Sequence, residues 1–239
     1  MQATNIYPML KQYLHDFITL IYPELCIGCG TKLVTGEKFI CYKCLVNMPR
    51  THFHLVKGNP VEQLFWGRVK IEKATSWFFF QKGSNYQHFL HHLKYKGLRE
   101  IGVELGRIFG TELSTVNYFG EIDVIVPVPL HRKREKKRGY NQSLAIAEGL
   151  SKVLQKPISN GILYRKYYSE TQTRKGRYER WENVNDLFDL KITDAFSGKH
   201  VLLIDDVVTT GSTLEACAQK ILDCPEARVS IATLGFASI

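Results

Sequence analysis

Toward the end of the chain the apolar run Val201-Leu202-Leu203-Ile204 delivers two adjacent carboxylates, Asp205 and Asp206. Val207-Val208-Thr209-Thr210-Gly211-Ser212-Thr213 follow, and then a segment with Leu214, Cys217, Ala218, Ile221 and Leu222 on one helical face. Each part has a chemical use. Adjacent acids at a strand end accept hydrogen bonds from the two hydroxyls of a ribose, directly or through a divalent ion. Backbone N–H groups and hydroxyls of a Gly-containing loop at a helix N-terminus cradle a phosphate. Gly211 lets the backbone approach an anion closely and take positive φ at little cost. The stretch reads as a device for gripping a ribose phosphate.

A second constellation lies near the other end. Cys26 and Cys29 form one Cys-x-x-Cys pair, Cys41 and Cys44 another, and eleven residues separate the pairs. Four thiolates close a tetrahedral shell around zinc and leave no open position, so the reading is a structural Zn²⁺ ribbon. The metal would supply folding energy that so short a segment cannot draw from a core. Two disulfides, a redox pair and an iron–sulfur cluster stay open as alternatives.

The acid-and-threonine stretch resembles the 5-phosphoribosyl-1-pyrophosphate (PRPP) motif of type I phosphoribosyltransferases. That resemblance implies Asp205 and Asp206 at the ribose hydroxyls, as catalytic residues, and Val207, Val208, Thr209, Thr210, Gly211, Ser212 and Thr213 around the 5-phosphate. The densest charge run, Arg132-Lys133-Arg134-Glu135-Lys136-Lys137-Arg138, holds six basic residues in seven. As a loop after a parallel strand it reaches the same sheet edge. Arg132, Arg134, Lys137 and Arg138 would take the pyrophosphate; a solvated loop or a nucleic-acid patch is the other use. A polar segment from Arg165 to Val184 has no clear period; the resemblance implies a lid over the site, carrying Arg174, Arg177 and Arg180, and a surface excursion is the other reading.

The elements that must position these groups are legible as a pattern. Strands are expected over Ala74–Phe80, Asp123–Pro129, Lys199–Ile204 and Arg228–Phe236. Helices are expected over Gln87–Lys96, Arg99–Val116 and the stretch after Gln142, where Ile146, Leu150, Val153 and Leu154 recur. His88 and His92 share a helix face, but no third ligand accompanies them. Residues 1–22 read as an amphipathic helix, 23–50 as the zinc ribbon, 51–73 as a connector and 74–239 as the phosphoribosyltransferase-like domain. The fold class is α/β, a mostly parallel sheet flanked by helices with the four-cysteine ribbon in front. Cys217 is expected to be buried; Cys224 has no evident use.

The 239 residues are 44% apolar with a net charge of +9, the profile of a globular protein suited to polyanionic ligands. Clustered cysteines argue against a secreted disulfide framework. The apolar stretch from Ile6 to Tyr22 is interrupted by Lys11, His15 and Asp16, too short and too charged to span a bilayer. No signal peptide is visible.

In order, the apolar N-terminal helix, the four cysteines, Lys94-Tyr95-Lys96-Gly97, Val126-Pro127-Val128-Pro129, Arg138-Gly139-Tyr140-Asn141-Gln142, Thr171-Gln172 with Arg177 and Asn183, and the Asp205-Asp206 loop resemble the ComF family of zinc-ribbon phosphoribosyltransferase-like proteins. The resemblance implies a cytoplasmic protein of natural transformation that binds PRPP with Mg²⁺ and handles incoming single-stranded DNA beside other competence proteins. A phosphoribosyltransferase, a non-catalytic PRPP or nucleotide sensor, and a single-stranded DNA adaptor using Tyr140 and Trp181 all remain compatible with it. A complete glutamine-dependent amidophosphoribosyltransferase is not expected, because the length leaves no room for a glutaminase domain and Met1-Gln2 offers no N-terminal cysteine.

Overall fold

The structure, a computed structural model, describes residues 22–81, 83–95, 98–166 and 187–237. The chain divides into two compact units, Met1–Met48 and Pro49–Ile239. In the first, the described residues form a knuckled ribbon with one short helix, α1 (Tyr42–Val46). The expected helix over residues 1–22 falls, but for Tyr22, outside the described residues.

The second unit is built on strands too uniformly apolar for a sheet with one wet face. In chain order it comprises α2 (Pro60–Gln63), β1 (Lys73–Phe79), α3 (Gln87–Tyr95), α4 (Arg99–Leu113), β2 (Val124–Pro127), α5 (Arg132–Arg138) and α6 (Gln142–Leu154). There follow β3 (Leu163–Arg165), β4 (Phe188–Leu190), β5 (His200–Val208), α7 (Ser212–Leu222) and β6 (Arg228–Phe236). The four long strands pair in parallel in the order β1-β6-β5-β2. Both edges are covered. Thr51 N–H donates to Trp77 O (3.1 Å) and Phe79 N–H to Pro49 O (2.8 Å), an antiparallel cover on β1. Ile125 bridges in parallel to Ile158 beside β2. Unpaired edges invite aggregation, and this sheet leaves little to pair with.

Alternation along the strands divides the core. Val201 and Leu203 pack with Leu214, Cys217, Ala218 and Ile221 of α7. Leu202 and Ile204, equally buried, face the other way, toward the side where α4 and α6 cross. Those two helices meet backbone to backbone at Gly106 and Gly149. Cys217 is buried as expected; Cys224 is buried too, its thiol donating to Thr193 O (3.0 Å).

Three sequence readings change. The basic run is not a loop but α5, capped by the His131 side chain at its start and closed by Gly139 at φ +85°. Its alternation of Arg, Lys and Glu has high helix propensity. The helix from Arg99 stops at Leu113 rather than Val116, and Asn117–Glu121 forms a 3₁₀ turn. Residues 51–73, read as a connector, contribute Phe53, Val61, Phe65 and Val69 to the α7-side core. Buried Asn59 organises that stretch: Oδ1 accepts from Val61 N–H (3.0 Å) and Glu62 N–H (3.2 Å), and Nδ2 donates to Ala74 O (2.9 Å) among other carbonyls. No helix among the described residues is long and apolar enough to cross a membrane.

Candidate functional site

The helices following β2 and β5 leave the sheet on opposite faces, so a crevice opens between the C-terminal ends of these two neighbours. Open parallel sheets take ligands at such a switch point. β2 pairs with β5 only as far as Pro127 opposite Ile204, whereas β5 continues beside β6 to Val208 opposite Phe236. Asp205 and Asp206 therefore lie within the strand, not beyond its end, and project to its two faces. Val207 and Val208 are strand residues as well, and Val208 is buried. Strand pairing with β6 overrides the loop reading of these two positions.

The two acids have different partners. Ser143 Oγ, in the first turn of α6, donates to Asp205 Oδ1 (2.9 Å), and the Asp206 N–H donates to the same oxygen (2.9 Å). Burial, and next the charge of Asp206, push Asp205 up to about 7. Asp206 Oδ2 instead meets Lys94 Nζ at 2.7 Å. Lys94 opens the motif Lys94-Tyr95-Lys96-Gly97 and Ser143 directly follows Arg138-Gly139-Tyr140-Asn141-Gln142, but nothing in their spacing marked them as partners of acids far along the chain.

The second motif is a cross-link. Tyr140 Oη donates to Leu93 O at the end of α3. Asn141 caps α6 by accepting from Ser143 N–H (3.0 Å) and donates to Val128 O (3.0 Å). Arg138 Nη1 donates to Gln142 Oε1 (2.8 Å). Of the basic residues expected near a diphosphate, Arg134 and Arg138 are half-buried, and Arg132 and Lys137 are exposed. Arg165, half-buried on β3, lies over the Phe188 ring with its guanidinium 5.4 Å from the centroid. Burial and then the neighbouring Arg134 charge lower its pKa, while Cys217 and Asp205 oppose them. The expected lid carried Arg165; the structure places it in a strand beside the acid pair. The expected lid residues Arg174, Arg177 and Arg180 lie outside the described residues, as do Trp181, Thr171, Gln172 and Asn183. β3 and β4 pair antiparallel on either side of that stretch.

After β5, Thr209 and Thr210 are exposed and Gly211 takes φ +76° as the N-cap of α7. Gly211 makes no side-chain cap, so the first-turn N–H groups of α7 point outward from an electropositive helix end. Thr210 Oγ1 and Ser212 Oγ hydrogen-bond at 3.1 Å. Ser212 and Thr213 sit in the first helical turn rather than in the loop. A Cβ on Gly211 would come within 3.0 Å of Phe65 Cε1, so both the backbone angle and the packing demand glycine. Arg68 also holds this loop: Nη1 donates to Thr210 O (2.9 Å) and Leu64 O (2.9 Å), and Nη2 pairs with Glu215. Sequence reading missed the stretch from Leu64 to Arg68 entirely.

In the first unit the Sγ atoms of Cys26, Cys29, Cys41 and Cys44 all lie within 4.8 Å of one another, an arrangement that could hold a metal ion. Cys29 and Cys41 are 3.7 Å apart, and none of the six cysteines is joined in a disulfide. Backbone amides point at the sulfurs: Cys41 N–H donates to Cys26 Sγ (3.3 Å) and Cys44 N–H to Cys41 Sγ (3.4 Å). Hydrogen bonds from Thr31 lower the exposed Cys29 thiol to about 6, whereas burial raises Cys41 and Cys44. Four sulfurs packed this closely would all be thiolates only around a cation.

A parallel sheet with acids and a threonine–glycine loop at its switch point defines the phosphoribosyltransferase class, and the family described as the phosphoribosyl transferase domain matches residues 95–236. Competence protein F of Haemophilus influenzae is 39% identical over 190 residues, covering 79% of this chain and 74% of that protein. Competence protein ComFC of Bacillus subtilis is 34% identical, covering 84% and 78%. DNA utilization protein YhgH of Escherichia coli K12 is 28% identical, covering 89% and 96%. Among solved structures, a purine phosphoribosyltransferase from Pyrococcus horikoshii is similar over 58% of this chain and 77% of that one, at 22% identity and a TM-score of 0.38. The chain belongs to the ComF family of phosphoribosyltransferase-like proteins.

Proposed function

We propose that this protein binds PRPP at the switch point between β2 and β5 and acts in the uptake of single-stranded DNA during natural transformation. The observation that carries the reading is the acid pair near the end of β5, two strand residues ahead of Thr209-Thr210-Gly211-Ser212 at the start of α7. The competence and DNA-utilization names of the relatives support the cellular role.

In this reading the 5-phosphate lies on the α7 N-terminus, held by the N–H groups from Gly211 to Thr213 and by the hydroxyls of Thr209, Thr210, Ser212 and Thr213. Asp206 accepts from a ribose hydroxyl. Asp205, pushed up by burial to about 7, exchanges a proton near neutrality and donates or accepts as the sugar requires, with Ser143 fixing its orientation. Arg132, Arg134, Lys137 and Arg138 of α5 meet the diphosphate, and Arg174, Arg177 and Arg180 belong to a lid. In a transfer the acceptor's bond to C1 forms as the C1–O bond to diphosphate breaks; positive charge develops on the ribose between them, and the anionic Asp206 stabilises it. The side chains otherwise position the reactants.

The Asp206 carboxylate offers oxygen to a hard cation, which would share or displace the Lys94 ammonium now paired with its Oδ2. Mg²⁺ held there with the diphosphate would neutralise the leaving group's charge. Zinc suits the cysteine centre: four sulfurs about 2.3 Å from one ion lie about 3.8 Å apart, close to the separation of Cys29 and Cys41.

Titration calorimetry with PRPP and Mg²⁺ tests the site. One-site binding is expected, and Asp205→Asn with Asp206→Asn should weaken it by about a hundredfold or more, roughly 2.7 kcal/mol. Binding by the double variant at wild-type strength would remove the acids from the site. A folded wild type that ignores PRPP would leave a DNA adaptor as the reading.

That second reading has its own observation. α5 exposes Arg132, Lys133, Lys136 and Lys137 along seven residues. Four phosphate contacts to a single strand predict a loss of roughly fiftyfold between 50 and 200 mM salt. Anisotropy of a labelled oligothymidylate should show that slope, and replacing the four residues by alanine should flatten it. Equal slopes in both proteins would place the DNA elsewhere.

A further inference from the structure

Arg68 lies outside the matched residues 95–236 and 142 positions before Thr210, yet it meets the candidate phosphate loop at several points. Its guanidinium donates to Thr210 O at 2.9 Å, approaches Ser212 Oγ at 3.5 Å and pairs with Glu215. A third bond, to Leu64 O at 2.9 Å, anchors it to its own segment. The neighbouring Phe65 ring closes on Gly211 from the same side. We infer that Arg68 is a positioning residue for 5-phosphate binding, holding the Thr210–Gly211 peptide in the orientation that turns an N–H toward the ligand and cancelling the charge of Glu215. The inference rests on the PRPP reading of the same loop.

The geometry argues it in two steps. In a trans peptide the C=O of one residue and the N–H of the next point in opposite directions. Capturing Thr210 O on the Arg68 side therefore turns the Gly211 N–H to the other side, away from Arg68. A flexible threonine–glycine loop would otherwise sample both orientations, and the ligand would bear the cost of selecting one. Glu215 presents the second problem. It sits in the first turn of α7, buried, with its backbone N–H bonded to Gly211 O at 2.8 Å. A carboxylate there favours the helix but repels an anion bound at the same end. The paired guanidinium removes that repulsion without touching the ligand.

The test uses the full-length, metal-loaded protein and two probes: ribose 5-phosphate, which needs the loop, and inorganic pyrophosphate with Mg²⁺, which does not. Arg68→Met should weaken ribose 5-phosphate by about ten- to hundredfold, the scale of a lost charge-assisted contact, and leave pyrophosphate within about twofold. Adding Glu215→Gln should restore part of the loss by removing the uncompensated carboxylate, while the peptide remains unanchored. Equal weakening of both probes, or of neither, overturns the inference, as does a double variant no better than Arg68→Met. Where Arg68→Met does not melt cooperatively, Arg68→Lys takes its place. It keeps the charge but loses the planar fork, so a selective loss again supports the role and unchanged binding refutes it. A wild type that binds neither probe overturns the PRPP reading as well. One that binds ribose 5-phosphate as Arg68→Met does sinks only the role of Arg68.

Discussion

Stripping the metal from the cysteine centre is expected to unfold the described part of the first unit and leave the second unit folded. Among the described residues up to Met48, the buried apolar side chains are Ile40 and Met48 together with Cys26, Cys41 and Cys44. A buried aliphatic side chain contributes about 1.5–3 kcal/mol, whereas a structural zinc site contributes about 10–16 kcal/mol. The metal term dominates. The ribbon's backbone bonds depend on the same geometry: Ile27 N–H to Phe39 O (2.9 Å), Gly30 N–H to Cys26 O (2.9 Å) and Leu33 N–H to Glu24 O (2.8 Å) all bracket the knuckles. Hydrogen exchange after chelation should show these amides losing protection while Leu202 and Leu203 on β5 keep theirs. Cys44→Ser should reproduce the pattern without chelator. Full protection in a protein shown by elemental analysis to be metal-free would mean that the ribbon folds on its own packing.

Gly149→Ala should destabilise the second unit more than its single methyl suggests. A Cβ at Gly149 would lie 2.1 Å from Val103 O, 2.5 Å from Arg107 N and 2.8 Å from Gly106 C. These are backbone atoms of α4, so no rotamer change relieves the overlap and the helices must part. Overpacking costs about 1–3 kcal/mol, and more where backbone moves; the gain in helix propensity is about 1 kcal/mol. A net loss of about 1–2 kcal/mol, or roughly 2–8 °C in Tm by calorimetry, is expected at the least. Gly120→Ala, with nothing within 4 Å of the new carbon, serves as the control and should be nearly silent. Wild-type stability in Gly149→Ala would contradict the close crossing. Function should suffer too: α6 carries Ser143, so moving the helix pulls the donor from Asp205 and should weaken PRPP binding even in protein that stays folded.

What could be read in advance divides along a physical line. Local patterns were legible. The strand Arg228–Phe236 was expected to the residue, the apolar face of α7 was visible at helical spacing, and the four cysteines announced their cluster. Arrangements that depend on distant partners were not. The extension of β5 through Val208 is set by pairing with β6, so the alternation of Asp205 and Asp206 to opposite faces could not be foreseen from the run itself. Lys94 and Ser143 reach the acids only once α3 and α6 are in place. Arg68 finds Thr210 across 142 residues, in a stretch whose mixture of glycine, proline and aromatics looked like a linker. The basic run misled for a different reason: its charge suggested an exposed loop, and an exposed helix satisfies the same composition.

The way the sheet is assembled bears on how this protein can be divided. Residues 95–236 carry every element from α4 to β6, and a gene fragment cut there would look like a whole domain. It would lack β1, the neighbour of β6. The orphaned strand Val229–Phe236, buried throughout, would become an open edge eight residues long, the kind of surface that drives sheets to add to one another. The same cut removes Phe65 and Arg68 from behind the threonine–glycine loop. For recombinant work the natural starting point of the phosphoribosyltransferase-like unit is Pro49, where the chain's own division into units falls.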